Sequence, residues 1–134
     1  MEAKEIGNLG EKIAEEYLKK QGYKILKRNY IPKFLSGPQR GEIDIVAKKK
    51  DTLFFVEVKT LLASSVRGRF GSFGIFPEEK VNFSKQQKII RAAESWLIGE
   101  KISLDRKWQI DVISIIINAE TKKARLRHLK NAVS

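Results

Sequence analysis

The chain has 134 residues, of which 27 are Lys or Arg and 16 are Asp or Glu, giving a formal net charge of +11. This length suits one domain, 1–134, whose single core needs no disulfide or structural metal. The absence of cysteine and the presence of one histidine, His128, exclude disulfide frameworks, thiol catalysis and multi-histidine metal sites, so any catalysis must use carboxylates and lysines. The basic surplus attracts polyanions, and nucleic acid is the first partner to consider.

A helix is predicted near the start of the chain. Apolar residues recur at helical spacing from Ile6, and Gly22 is predicted to end the helix. The opening MEAKEIGNLG lacks the basic and apolar regions of a signal peptide, and the longest apolar run, 112–117, is too short to span a bilayer. A cytoplasmic protein without membrane contact is therefore expected.

Strands and a second helix follow. The second helix is predicted to open at Ser84, which forms a capping box with Gln87, and to end at Gly99, with Trp96 in the core and His128 far downstream in a structural or surface role. The resulting order αβββαββ predicts an α/β fold with a mixed sheet flanked by helices, in which the second helix connects two parallel strands. The predicted strands are 23–29, 42–48, 53–60, 108–117 and 124–129.

A long glycine-rich loop is predicted at about 61–80, and loops of this length tend to be functional or disordered. Its cations Arg67 and Arg69 are candidate phosphate contacts. Its phenylalanines can stack on unpaired bases, pack against a second subunit, or pin the loop to the core. These phenylalanines are Phe70, Phe73 and Phe76.

Acids interrupt the two apolar strands of the predicted hairpin, GEIDIVAKKKDTLFFVEVKT. Side chains alternate across a strand, so Glu42 shares a face with Asp44, and Glu57 shares one with Lys59. A turn at KKKDT places Asp44 opposite Glu57, where two carboxylates repel each other unless a cation lies between them. Mg²⁺ or Mn²⁺ suits such a pair, and Lys59 can reach the same pocket. The alternative is that both acids face solvent and pair with neighbouring lysines.

Two acids, a divalent ion and a lysine meet the needs of phosphodiester hydrolysis, because the ion activates water and the lysine stabilises developing charge. On the first helix, Glu11 and Glu15 lie four residues apart. Either acid can turn its carboxylate toward the hairpin, or both can belong to a solvated face. The spacing leaves both alternatives open.

The segment with Asp44 followed by Glu57-Val58-Lys59 resembles the PD-(D/E)xK nuclease signature. Together with GNLGEKIAEEYL, ILKRNY and IDVISI, it resembles the YraN-type endonuclease family, related to archaeal Holliday junction resolvases. The resemblance implies a restriction-endonuclease-like fold, with Asp44, Glu57 and Glu11 as metal ligands and Lys59 as the catalytic lysine. Auxiliary residues at the implied site are Glu42 and Lys85, and the candidate nucleic-acid contacts are Arg40, Arg67, Arg69 and Lys85.

The implied function is a Mg²⁺-dependent or Mn²⁺-dependent DNA endonuclease that selects structure, and a symmetric homodimer would fit a four-way junction. Leu61 and Gln109 stand where the family often has arginines, which bears on the DNA-binding surface. The alternatives are a nucleic-acid-binding module that keeps the fold without cleaving and a nuclease directed at RNA.

Overall fold

The computed structural model describes residues 2–33, 41–63 and 83–132. Within these ranges, five strands form one sheet in the order β1-β2-β3-β4-β5, and two helices flank it. The predicted α/β architecture and the order αβββαββ are confirmed. The elements are α1 Ala3–Lys20, β1 Lys24–Tyr30, β2 Ile43–Lys49, β3 Thr52–Ala63, α2 Phe83–Gly99, β4 Trp108–Asn118 and β5 Ala124–Leu129.

The sheet is mixed. Strands β1, β2 and β3 pair antiparallel in succession, as do β4 and β5, whereas β3 and β4 pair parallel across the connection that contains α2. The parallel pairing confirms the predicted crossover. Residues 110–118 of β4 are all buried, because this strand lies inside the sheet and both of its faces are covered.

Each helix covers one face of the sheet, and alternation along the strands supplies a separate core to each face. On the α1 face, Leu18 packs with Ile45 and Val56. On the α2 face, Trp96 is 7% exposed, as predicted for a core residue, and its ring centroid lies 5.8 Å from that of Phe55. Asp44 and Glu57 therefore lie in a part of the sheet that α1 covers on one face and α2 on the other.

The end of α1 follows the prediction for Gly22. Gly22 has a φ of +93°. A glycine adopts this conformation at little energetic cost because it has no Cβ. The Gly22 N–H donates to the Lys19 carbonyl, and the Tyr23 N–H donates to the Leu18 carbonyl, a Schellman arrangement. Neither helix in the described ranges is long and apolar enough to cross a membrane.

Two predicted boundaries are wrong. The ladder between β3 and β4 continues to Ala63, which pairs with Asn118, so the first three residues of the predicted loop are strand. Phe83 is already helical, so Ser84 lies within α2 and is not its N-cap. The remaining loop residues, with Arg67, Arg69 and the three phenylalanines, lie outside the described residues, as does Arg40.

Candidate metal centre

Two carboxylates meet on neighbouring strands beneath α2. Ile45 pairs with Val56 in the ladder between β2 and β3, and continuing this register by one residue sets Asp44 opposite Glu57, as the turn predicted. Oδ2 of Asp44 accepts a hydrogen bond of 2.7 Å from the Val58 N–H, which fixes this carboxyl against β3. We call Asp44 and Glu57 the acid pair.

The carboxyl of Asp44 resists ionisation. Burial, followed by the hydrogen bond to Glu57 and the repulsion from its charge, raises the pKa of Asp44 to about 8; the charge of Glu11 adds to the rise, and the Val58 N–H opposes it. Near neutral pH, a second negative charge on the pair is therefore costly. A cation bound between the two carboxyls would remove that cost.

A cavity of about 450 Å³ opens between the acid pair and the start of α2. We call it the acid cavity. Across it, Nζ of Lys85 lies 3.0 Å from Oε2 of Glu57, whose side chain is 12% exposed. A Cβ on Gly41 would lie 2.7 Å from the Lys88 carbonyl oxygen, so this glycine lets the chain just before β2 approach α2 closely. The cavity is lined by Gly41, Glu42, Asp44, Glu57, Ser84, Lys85, Lys88 and Ile89.

Lys59 lies on the same face of β3 as Glu57, two residues further along and partly buried. That spacing corresponds to roughly 7 Å along a strand. Its neighbour on β4 is Ser114, whose hydroxyl is buried and has no hydrogen-bond partner within the described part of the chain. In the sequence, Ser114 is marked only as a serine inside the apolar run of β4.

Glu11 lies on α1 and lines a separate cavity of about 230 Å³ together with Val58. Arg28 of β1 holds it, with Nη2 at 3.5 Å from Oε1 of Glu11 and Nη1 at 3.2 Å from Oε1 of Glu15. Glu11 is thus close enough to influence the pKa of Asp44 without sharing its cavity. Its role as a metal ligand stays a prediction.

The donors present suit a hard divalent cation. Carboxylate oxygens are the ligands that Mg²⁺ and Mn²⁺ prefer, and both ions keep part of their water shell when two carboxylates bind them. Asp44 and Glu57 offer such oxygens on one wall of the cavity. Across the ranges that the structure describes, His, Cys, Asp and Glu form no group of three or more arranged for a metal. The carboxylates that the structure brings together at the candidate centre are those of Asp44 and Glu57.

A second buried polar cluster lies on the α1 face. Nε2 of His128 lies 2.7 Å from Oδ2 of Asp111, and the Tyr17 hydroxyl lies 2.9 Å from Nδ1 of the same ring. Oδ1 of Asp111 accepts from the Asn131 N–H and from the Gln109 amide, both at 2.8 Å. This network ties α1, β4 and β5 together, and the His128 side chain is 5% exposed, so of the two predicted roles, structural or surface, the contacts fit the structural one. The network joins Tyr17 to residues more than 90 positions away, so no local sequence pattern indicates it.

Comparisons with known proteins place similar sequences in a single family. The model of the uncharacterised protein family UPF0102 matches residues 10–115. A UPF0102 protein of Clostridium botulinum (strain 657 / Type Ba4) is 39% identical over 129 residues, covering 96% of this chain and 94% of the relative. One from Alkaliphilus oremlandii is 39% identical, covering 96% and 97%, and one from Clostridium acetobutylicum is 40% identical, covering 96% and 93%. The matched range contains the acid pair, Lys59 and Lys85.

Proposed function

The chain belongs to the UPF0102 family, the YraN-type family of the sequence resemblance, and we propose that it is a metal-dependent endonuclease that hydrolyses phosphodiester bonds in DNA. The observation that carries the proposal is the acid pair, set in register on β2 and β3 and facing two lysines across the acid cavity. Adjacent, partly buried carboxylates destabilise a sheet, and a metal-binding role accounts for keeping them.

Four residues have roles in the proposed reaction. Asp44 and Glu57 hold Mg²⁺ or Mn²⁺, which when bound lowers the pKa of water and offsets phosphate charge. Lys59, on the same face of β3, orients the attacking water and stabilises the negative charge that develops on the phosphate. Glu11 assists from α1, either directly as a further metal ligand or through water.

The strand arrangement supports the more specific relationship to restriction-endonuclease-like enzymes. An antiparallel hairpin carries Asp44 on one strand and Glu57 with Lys59 on the other, and the second of these strands continues through α2 to a parallel partner. The PD-(D/E)xK pattern therefore falls on paired strands with all three side chains on one face. If Asp44 and Glu57 only faced solvent, nothing would require them to share a face of the sheet with Lys59.

DNA is the proposed substrate because the net charge of +11 favours a polyanion and because lysines line the cavity that holds the acids. We place branched DNA first within that class, on the resemblance to junction resolvases. A four-way junction presents two equivalent strands for cleavage, so a homodimer with one acid cavity in each subunit would suit it.

The proposal is tested by cleavage of labelled duplex, flap, single-stranded and four-way-junction DNA, with a matched RNA, in Mg²⁺, Mn²⁺ or EDTA. We expect cleavage that requires the metal and falls at least about a hundredfold in Asp44→Asn and in Lys59→Met, since each removes a group that acts on the reacting phosphate.

The matched control is Lys107→Met, which removes one positive charge and one ion pair with an acid, Asp51, at an exposed position. It should cleave within about twofold of the unmodified protein, since exposed ion pairs contribute little. DNA binding without cleavage in any metal would refute the proposal and favour the binding module. Cleavage restricted to RNA would correct the substrate.

A further inference from the structure

The Lys85 ammonium occupies the position at Glu57 that a bound divalent metal ion would need. Nζ of Lys85 lies 3.0 Å from Oε2 of Glu57, and this oxygen is one that a divalent ion at the acid pair would also need. An ammonium and a divalent ion bound to the same oxygen repel each other strongly at such short range. Their occupancies at Glu57 therefore compete.

The two partners of this ion pair differ in exposure and in their position in the fold. Glu57 is 12% exposed and belongs to a central strand, whereas the Lys85 side chain is 49% exposed and begins on the first turn of α2. The rest of α2 is held by core contacts at Ile89 and Trp96. Lys85 can consequently leave Glu57 by rotating its own side chain, with α2 in place.

The position that Lys85 would take after leaving Glu57 also matters. It begins at the wall of the acid cavity, with Lys88 one turn further along α2 and lining the same cavity. Two ammonium groups at this wall are suited to phosphate oxygens, to which lysine binds as a point charge. After it leaves Glu57, the Lys85 ammonium would therefore lie at the wall of the acid cavity where we expect a phosphate to bind.

We infer that Lys85 couples the two ligands of this site: it competes with the divalent ion for Glu57, and once displaced it binds the phosphate backbone of the nucleic acid. This inference rests on the proposed function, since it takes the acid pair as a metal site. Because coupling between two ligands is reciprocal, the metal strengthens nucleic-acid binding, and nucleic acid strengthens metal binding.

The first test is calorimetric titration of MnCl₂ into the full chain, which needs no turnover. Lys85→Met keeps the length of the side chain and removes the competing charge, so it should bind Mn²⁺ about threefold or more tightly than the unmodified protein. Lys107→Met removes a lysine paired with Asp51 outside the acid cavity and should stay within about twofold. Asp44→Asn should lose the binding.

The second test measures fluorescence anisotropy of a labelled four-way junction in the Lys59→Met background, which suppresses cleavage. Adding Mn²⁺ should tighten junction binding by about threefold or more when Lys85 is present, and by much less when Lys85→Met is added.

The results separate the inference from the function on which it rests. Equal or weaker Mn²⁺ binding in Lys85→Met, while the unmodified protein binds and Asp44→Asn does not, overturns the inference and leaves the metal site standing. If Mn²⁺ still tightens junction binding when Lys85→Met is present, the inference is also overturned. An unmodified protein that binds no Mn²⁺ overturns the proposed function and the inference together.

Discussion

Replacing Asp44 by Asn should stabilise the metal-free protein, and increasingly so as the pH rises. The amide has nearly the same shape, its oxygen can still accept from the Val58 N–H, and its NH₂ group can donate to Glu57. It cannot ionise, so it removes the charge that burial and Glu57 disfavour. Asp44→Asn would therefore lose the proposed activity and gain stability, a trade-off that is common where a functional site keeps charges that destabilise the fold.

The sign and size follow from the pKa of Asp44, which rises from 3.8 to about 8 on folding. Between these values the folded protein binds more protons than the unfolded chain, so this group's contribution to stability is present at low pH and is lost as the pH rises toward about 8. At about 1.4 kcal/mol per pKa unit, half of the rise corresponds to roughly 3 kcal/mol. For a chain of this length, that is a difference of roughly 10 °C in Tm.

The assay is thermal unfolding in EDTA at a low, a neutral and a mildly alkaline pH. Tm of Asp44→Asn should approach that of the unmodified protein at low pH and exceed it in alkali. Asp51→Asn is the matched control, because the pair with Lys107 lowers the pKa of this exposed acid and its replacement should give a small change of opposite sign. A Tm difference for Asp44→Asn that does not vary with pH, or that reverses, would refute the reasoning.

Two further predictions concern the packing of α1. Gly10→Ala should destabilise the protein by about 1 to 3 kcal/mol in urea unfolding, because the new Cβ would collide with the Thr60 side chain, whereas Gly7→Ala, with nothing within 4 Å, should be neutral or stabilising. Equal effects at the two glycines would contradict the close approach of α1 to β3. Tyr17→Phe removes the hydroxyl that contacts His128 and should cost about 0.5 to 1.5 kcal/mol in the same measurement. An unchanged unfolding midpoint would show that this contact contributes nothing to the docking of α1.

The acid pair could be predicted from sequence because its geometry is local. Two short apolar strands joined by a tight turn leave few registers, and the turn at KKKDT sets Asp44 opposite Glu57. Alternation then puts Lys59 on the face of Glu57 without further information. The end of α1 is likewise local, since Gly22 supplies a conformation that other residues rarely adopt.

What sequence could not supply depends on contacts between distant segments. Lys85 reaches Glu57 only because α2 packs on the sheet, and His128 meets Asp111 and Tyr17 only in the assembled fold. The extension of β3 to Ala63 has the same origin, since β4 provides a partner strand at that position. Local propensity contains none of these interactions, and tertiary pairing decides them.

The claim that the acid pair binds a divalent cation is tested most directly by anomalous diffraction from crystals of the unmodified protein grown with Mn²⁺. We predict an anomalous peak within about 2.5 Å of carboxylate oxygens of both Asp44 and Glu57, with the Lys85 ammonium moved away from Glu57. The same experiment on Asp44→Asn should show no such peak. Crystals of the unmodified protein with Mn²⁺ bound only elsewhere, and with Lys85 still paired with Glu57, would contradict the account.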